Sequence, residues 1–137
     1  SPGSFTNVMD YWTLATAGNA ADFGDLSSVK GSLSSGSNTT RGIVAGGRAP
    51  GGKNEIDFIT IASTGNATDF GDLTDSRYAA SAVSNSLRAV FAGGETPYKN
   101  VMDFVTIAST GNATDYGDLT ASLAGKGPAS NGHGGLS

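Results

Sequence analysis

The stretches "EIDFITIAS" (residues 55–63) and "VMDFVTIAS" (101–109) set apolar side chains on both sides of an extended chain. Ile56 and Phe58 fall on one face, Ile59 and Ile61 on the other. A sheet wetted on one side alternates apolar with polar residues, so this pattern predicts short strands covered from both sides. "TGNATD" follows, with the Gly, Asn and Asp that tolerate tight turns. "DFGDLT" (69–74) then reads as an outer, fourth strand, and "RYAASAVS" (77–84) with "RAVFAGG" (88–94) as the first and second. No stripe recurs every 3.6 residues, and Gly, Asn and β-branched residues are spread through every segment, so a helical solenoid is excluded.

The pattern repeats. "TIASTGNATDFGDLT" at 60–74 returns as "TIASTGNATDYGDLT" at 106–120, and a degenerate form, "TLATAGNAADFGDLS", stands at 13–27. Asp10, Asp57 and Asp103 are spaced 47 and 46 residues apart, as are Gly18, Gly65 and Gly111, and Leu26, Leu73 and Leu119. "RGIVAGG" at 41–47 matches "RAVFAGG". The one-residue difference falls between the Gly-Gly pair and the next Asn, where "RAPGGK" is replaced by "ETPYK". Length variation confined to a Gly- and Pro-bearing segment marks a surface loop. Four short strands every ~47 residues predict a stacked unit that cannot bury its own apolar faces, with the period of a β-propeller blade. The presumed first strands ("KGSLSSGS", "RYAASAVS", "LAGKGPAS") are crowded with small residues, which suit positions where blades converge.

Composition narrows the function classes. At 137 residues the chain is long enough for one domain. Charged residues make up only 15%, against about 25% in a typical soluble protein. The net charge of −4 argues against a nucleic-acid partner. Cysteine is absent, which excludes disulfides, thiolate metal sites and cysteine nucleophiles. No apolar run approaches the ~18 residues of a membrane span, so no membrane insertion is expected.

These residues resemble a kelch-like repeat, in which a second strand ends in Gly-Gly, a variable loop follows, and an aromatic strand leads through a tight turn to an outer strand. Here those elements are Gly46-Gly47 and Gly93-Gly94, then Phe58 or Phe104, then "TGNATD". The resemblance covers nearly the whole chain. It departs from the family at the outer strand, where the usual Trp is replaced by Phe23, Phe70 and Tyr116, while Trp12 lies on the third strand. The string "N-x-[IM]-D-[YF]…TGNATD[FY]GDLT" is more similar still to kelch-like repeats of marine phages, including cyanophages. That resemblance implies an extracellular particle, as part of a fibre, tail or capsid appendage. The run "D-x-G-x" at 22–25, 69–72 and 115–118 is partly similar to the Asp-box of sialidase-type propellers, but lacks its flanking Ser and Trp.

The expected architecture is an all-β propeller segment of about three blade-equivalents: an outer strand pair of a split blade (1–27), two blades (28–74 and 75–120), and an inner strand pair (121–137). A propeller needs about 4–8 blades to close, so the ring is expected to be completed by a second copy or by flanking repeats.

Nine of the ten Asp residues occupy three recurring positions: Asp10, Asp57 and Asp103; Asp22, Asp69 and Asp115; Asp25, Asp72 and Asp118. They could form a carboxylate ring for Ca²⁺, or accept backbone N–H groups in turns. Recurrence in every unit favours turns, because a reaction centre is needed once, so no cofactor or metal is expected. Arg41 and Arg88 could line a channel for an acidic glycan; pairing with a neighbouring Asp is preferred, since an isolated buried Arg is costly. Lys30 and Arg77, placed at the start of the inner strand, are read the same way. His133 is the only histidine and cannot build a three-ligand zinc site.

Repeat proteins usually bind through loops that vary on one face. "SPGSFT", "RAPGGK" and "ETPYK" occupy one loop position and share almost nothing. Arg48, Lys53, Tyr98 and Lys99 are therefore the candidate contacts to a sugar or protein, and drift in exposed loops is the alternative. The expected function is non-enzymatic: structural presentation or adhesion toward a host glycan or another virion protein. A cellular, secreted or cell-surface interaction scaffold is the second reading. A glycan-active enzyme is disfavoured for want of His, Cys and clustered acidic singletons.

Overall fold

A computed structural model describes residues 4–129 and shows an all-β protein. Ten strands are present among them: β1 (Thr6–Tyr11), β2 (Ala21–Lys30), β3 (Ser34–Ser37), β4 (Arg41–Ala45), β5 (Lys53–Thr60), β6 (Thr68–Arg77), β7 (Ser81–Ser84), β8 (Arg88–Ala92), β9 (Val101–Thr106) and β10 (Thr114–Asp118). They form an antiparallel pair, β1–β2, and two four-stranded antiparallel sheets, β3–β6 and β7–β10, in which chain neighbours are sheet neighbours. These sheets are open, and no closed barrel or ring occurs among the described residues.

The outer strand carries the same irregularity three times. Ile56 pairs with Gly71 and Asp57 with Asp69, so Phe70 is an extra residue that no partner opposes. Phe23 and Tyr116 are the equivalent extras beside Gly24 and Gly117. Such a bulge re-aims a side chain. Each extra aromatic meets an aromatic of the third strand edge-on: Tyr11–Phe23, Phe58–Phe70 and Phe104–Tyr116, with centroids 5.8, 6.0 and 5.9 Å apart. The following glycines have φ of 143°, 146° and 134°, a conformation other residues rarely adopt. The Asp-Phe/Tyr-Gly-Asp run is thus a bulge code.

Successive sheets stack face to face. Inner strand β3 touches β7 and β8, while outer strand β6 touches β2 and β10. The main core lies between the two four-stranded sheets. Ile43, Ala45, Ile56, Phe70 and Leu73 come from the first, and Ala89, Phe91, Val105 and Ile107 from the second. On the opposite face of β5 Asp57 is buried against β2, so this strand is covered on both faces there, whereas Ile61, expected on that face, is 45% exposed. Where the inner strands meet, a side chain at Gly36 would lie 3.1 Å from Ser84 Cβ and 3.2 Å from Ala89 Cβ. The small residues of these strands permit that approach. Ile43 is fully buried, so Ile43→Val is expected to lower stability by about 0.5–1.5 kcal/mol in denaturant unfolding.

Three expectations are corrected. The outer strands do not end at 27 and 74 but continue to Lys30 and Arg77. Lys30 and Arg77 therefore close the outer strands instead of opening the inner ones. Residues 121–129 of the expected inner strand pair form no strand, and its residues 130–137, with His133, lie outside the described residues.

Candidate functional site

Asp57 and Asp103 sit mid-strand and buried, each facing the outer strand of the preceding sheet. Ser27 Oγ donates to Asp57 Oδ1 at 2.6 Å, and Lys30 Nζ lies 2.9 Å from Oδ2. One unit later, Thr74 Oγ1 donates to Asp103 Oδ1 at 2.6 Å and Arg77 Nη2 to Oδ2 at 3.0 Å. A hydroxyl and a cation from one sheet thus hold a carboxylate of the next. Lys30 has a second anion, Glu55, at 3.2 Å. The Ser28 hydroxyl, with Lys30 beside it, holds the Glu55 carboxyl below its ordinary range. Arg77 has no second anion among the described residues, because Val101 stands where Glu55 does. Its Nη2 also donates to Phe91 O at 3.2 Å, while Nε and Nη1 are buried without partners. Asp10 is exposed, as no sheet precedes β1 among the described residues.

A second device joins the sheets through "TGNA". Gly65 N donates to Phe23 O at 2.7 Å and Ala67 N to Asp25 O at 2.8 Å. Asp25 N answers by donating to Asn66 Oδ1 at 3.0 Å. At the next junction Gly111 N bonds Phe70 O at 2.7 Å, Ala113 N bonds Asp72 O at 2.8 Å, and Asp72 N bonds Asn112 Oδ1 at 3.1 Å. The turn of each unit is a plug, and the bulge of the preceding unit is its socket. Sequence reasoning took "TGNATD" for a turn alone. The signal that reveals the plug is the joint repetition of both halves, since two surfaces that bond each other must recur together. Asn112→Ala leaves the Asp72 N–H without its acceptor, and a loss of about 1 kcal/mol is expected in equilibrium unfolding.

The turn role expected for aspartate holds at Asp22 and Asp115, whose Oδ1 accept Gly24 N at 3.1 Å and Gly117 N at 3.2 Å. It does not hold at Asp57 and Asp103, which bridge sheets. Among the described residues no three acidic or His side chains converge as metal ligands. The aspartate pairing expected for Arg41 and Arg88 is overturned. The Arg41 guanidinium lies 4.4 Å from the Phe58 ring centroid and Nη1 donates to Ile107 O at 3.0 Å. Arg88 lies 4.6 Å over Phe104. Both aromatics stand diagonally across from the arginine on the neighbouring strand, within reach of a long side chain.

The variable loops present a cleft of about 290 Å³ lined by Tyr78, Glu95, Thr96, Pro97 and Tyr98. Arg48 stacks 5.3 Å over Tyr78, and the Glu95 carboxylate beside Tyr78 raises that phenol. Of the four loop candidates, Tyr98 lines the cleft and Arg48 reaches it through Tyr78. Lys53 opens β5 and is half-buried, and Lys99 is engaged by Asp75 at 2.7 Å. The loops thus bring two of the four to one place, and add Tyr78 and Glu95.

Stacked four-stranded antiparallel sheets joined by recurring bonds define an all-β repeat protein. No protein-family model matches the chain, and no curated protein matches it either.

Proposed function

We propose that each four-stranded sheet is a blade of a kelch-like propeller, and that the chain is a non-enzymatic structural and adhesion component of a phage particle. In this reading the ring is closed by another copy or by flanking repeats, and its β4–β5 and β8–β9 loops face a host glycan or another virion protein. One observation carries the structural part: both sheet junctions use the same bonds, Asp57 with Lys30 and Asp103 with Arg77, Asn66 with Asp25 and Asn112 with Asp72. A chain that reuses one junction builds by addition, and its most conspicuous chemistry is spent on holding sheets together. The tight approach at Gly36 supports convergence of the inner strands on an axis. The cleft supports adhesion, because exposed Tyr98 gives a ring face for a sugar, while Glu95 and Arg48 supply hydrogen-bonding groups.

Mass spectrometry of purified phage particles tests the address: peptides such as "NEIDFITIASTGNATDFGDLTDSR" are expected in virions. Their absence from particles made by cells that express the chain refutes it. A glycan array tests adhesion. Binding that falls at least about tenfold in Tyr98→Ala is expected, a loss of roughly 1.4 kcal/mol from one stacked ring. Binding unchanged by that substitution removes the cleft from the proposal.

A further inference from the structure

The plug and socket occur three times in the sequence but meet only twice in the described structure. Among the described residues, none of the turns seats on the bulge of the last sheet, Tyr116-Gly117-Asp118. A side chain at Gly117 would meet only Met102 Cε at 3.7 Å, whereas at Gly24 and Gly71 it would lie 2.3 and 2.4 Å from the plug carbonyl. Tyr116 is 53% exposed, against 9% for Phe23 and 3% for Phe70. At the other end, every residue of the first turn, Ala17-Gly18-Asn19-Ala20, is exposed. Beside it Trp12 and Leu14 are 63% and 92% exposed, although their equivalents Val105 and Ile107 are 3% and 0% exposed against the preceding sheet.

We propose that these two ends bind each other between copies: the first turn of one chain seats on the last bulge of a second. This deepens the assembly part of the reading above and rests on it. The occupant is a second copy because each end already binds the other's equivalent inside the chain. The internal junctions fix the register. Gly18 N donates to Tyr116 O, Ala20 N to Asp118 O, and Asp118 N to Asn19 Oδ1, while Asp10 accepts from Thr120. Leu14 covers the sheet where Ile107 covers its predecessor.

One component of the internal junction is missing from this one. Leu123 stands where Lys30 and Arg77 stand, so Asp10 is buried against Thr120 without a cation. The path of the backbone is otherwise kept: Gly94 N donates to Leu123 O at 2.9 Å as Gly47 N does to Arg77 O at 3.0 Å. The contact between copies is therefore weaker than the contacts within a copy, and it is reversible. Supplying the cation strengthens it.

The native chain lacks cysteine, which allows a direct test on the full chain. An Asn19→Cys chain is mixed with an Asp118→Cys chain and treated with a short bifunctional thiol reagent, while sedimentation follows mass against concentration. The expected result is concentration-dependent association, efficient cross-linking of the mixture, and little cross-linking of either variant alone. Leu123→Arg is expected to tighten association about tenfold, and Asn19→Ala, at an exposed position, to weaken it severalfold. Association without the 19–118 cross-link, or unaffected by Leu123→Arg, overturns this inference and leaves ring assembly standing. A chain that stays monomeric at every concentration overturns this inference and leaves closure by flanking repeats as the form of the reading that stands.

Discussion

Asp103→Ala is expected to cost about 3–5 kcal/mol, measured by urea unfolding at neutral pH. Arg77 is fully buried, and among the described residues Asp103 is the only anion paired with it. Removing the carboxylate leaves a guanidinium that already has two unpartnered nitrogens in a site closed to water. It also strands the Thr74 amide and hydroxyl, which donate to Asp103 at 3.1 and 2.6 Å. A domain of this size is stable by about 5–15 kcal/mol, so the loss is a large share of the total. Asp57→Ala is expected to cost distinctly less, because Lys30 keeps Glu55 at 3.2 Å. Replacing both Arg77 and Asp103 with apolar residues of similar volume is expected to recover much of the loss, since a buried pair often contributes little net stability. Equal costs for Asp57→Ala and Asp103→Ala would contradict the difference drawn between the two junctions.

Gly71→Ala is expected to destabilise by about 3–5 kcal/mol, and Gly117→Ala by only about 1–2. The two glycines share a backbone conformation, with φ of 146° and 134°, so the strain of placing a methyl there is common to both. They differ in what the methyl meets. At Gly71 it would lie 2.4 Å from Gly111 O, and the plug must lift away. That movement weakens three hydrogen bonds, from Gly111 N, Ala113 N and Asp72 N, each worth about 1 kcal/mol. At Gly117 the nearest atom is the flexible end of Met102, at 3.7 Å. The difference between the variants, read as paired unfolding curves, isolates the plug from the strain.

Much of the fold was legible in the sequence because apolar residues on both faces of residues 56–61 require cover on both sides, and the spacing of equivalent residues sets the unit. The strand order within each sheet followed from the same pattern. What the pattern could not give is adjacency between units. A repeat shows that Asp57 and Asp103 are equivalent, but not that each reaches back to the residue closing the previous outer strand. Lys30 and Arg77 were misplaced because the pairing of β5 with β6 jumps between Glu55–Asp72 and Lys53–Arg77, which carries the strand past its regular end. For Arg41 and Arg88 the cost of an unpaired buried cation pointed to a carboxylate partner, whereas the ring diagonally opposite receives each guanidinium. In the loops, length variation located the cleft. Tyr78 was missed because it belongs to the connector between sheets and joins the cleft only when the Glu95–Pro97 loop folds over it.

Amide hydrogen exchange, resolved by residue in dilute solution, tests most directly whether the repeated turns bond the neighbouring sheet. Gly65, Ala67, Gly111 and Ala113 are predicted to exchange slowly, with the strands, because their N–H groups donate to β2 and β6. Gly18 and Ala20, in the same turn of the first unit, are predicted to exchange as exposed amides do. Rapid exchange at all six positions would contradict the account, because the turns would then be surface loops and the sheets would have no common joint.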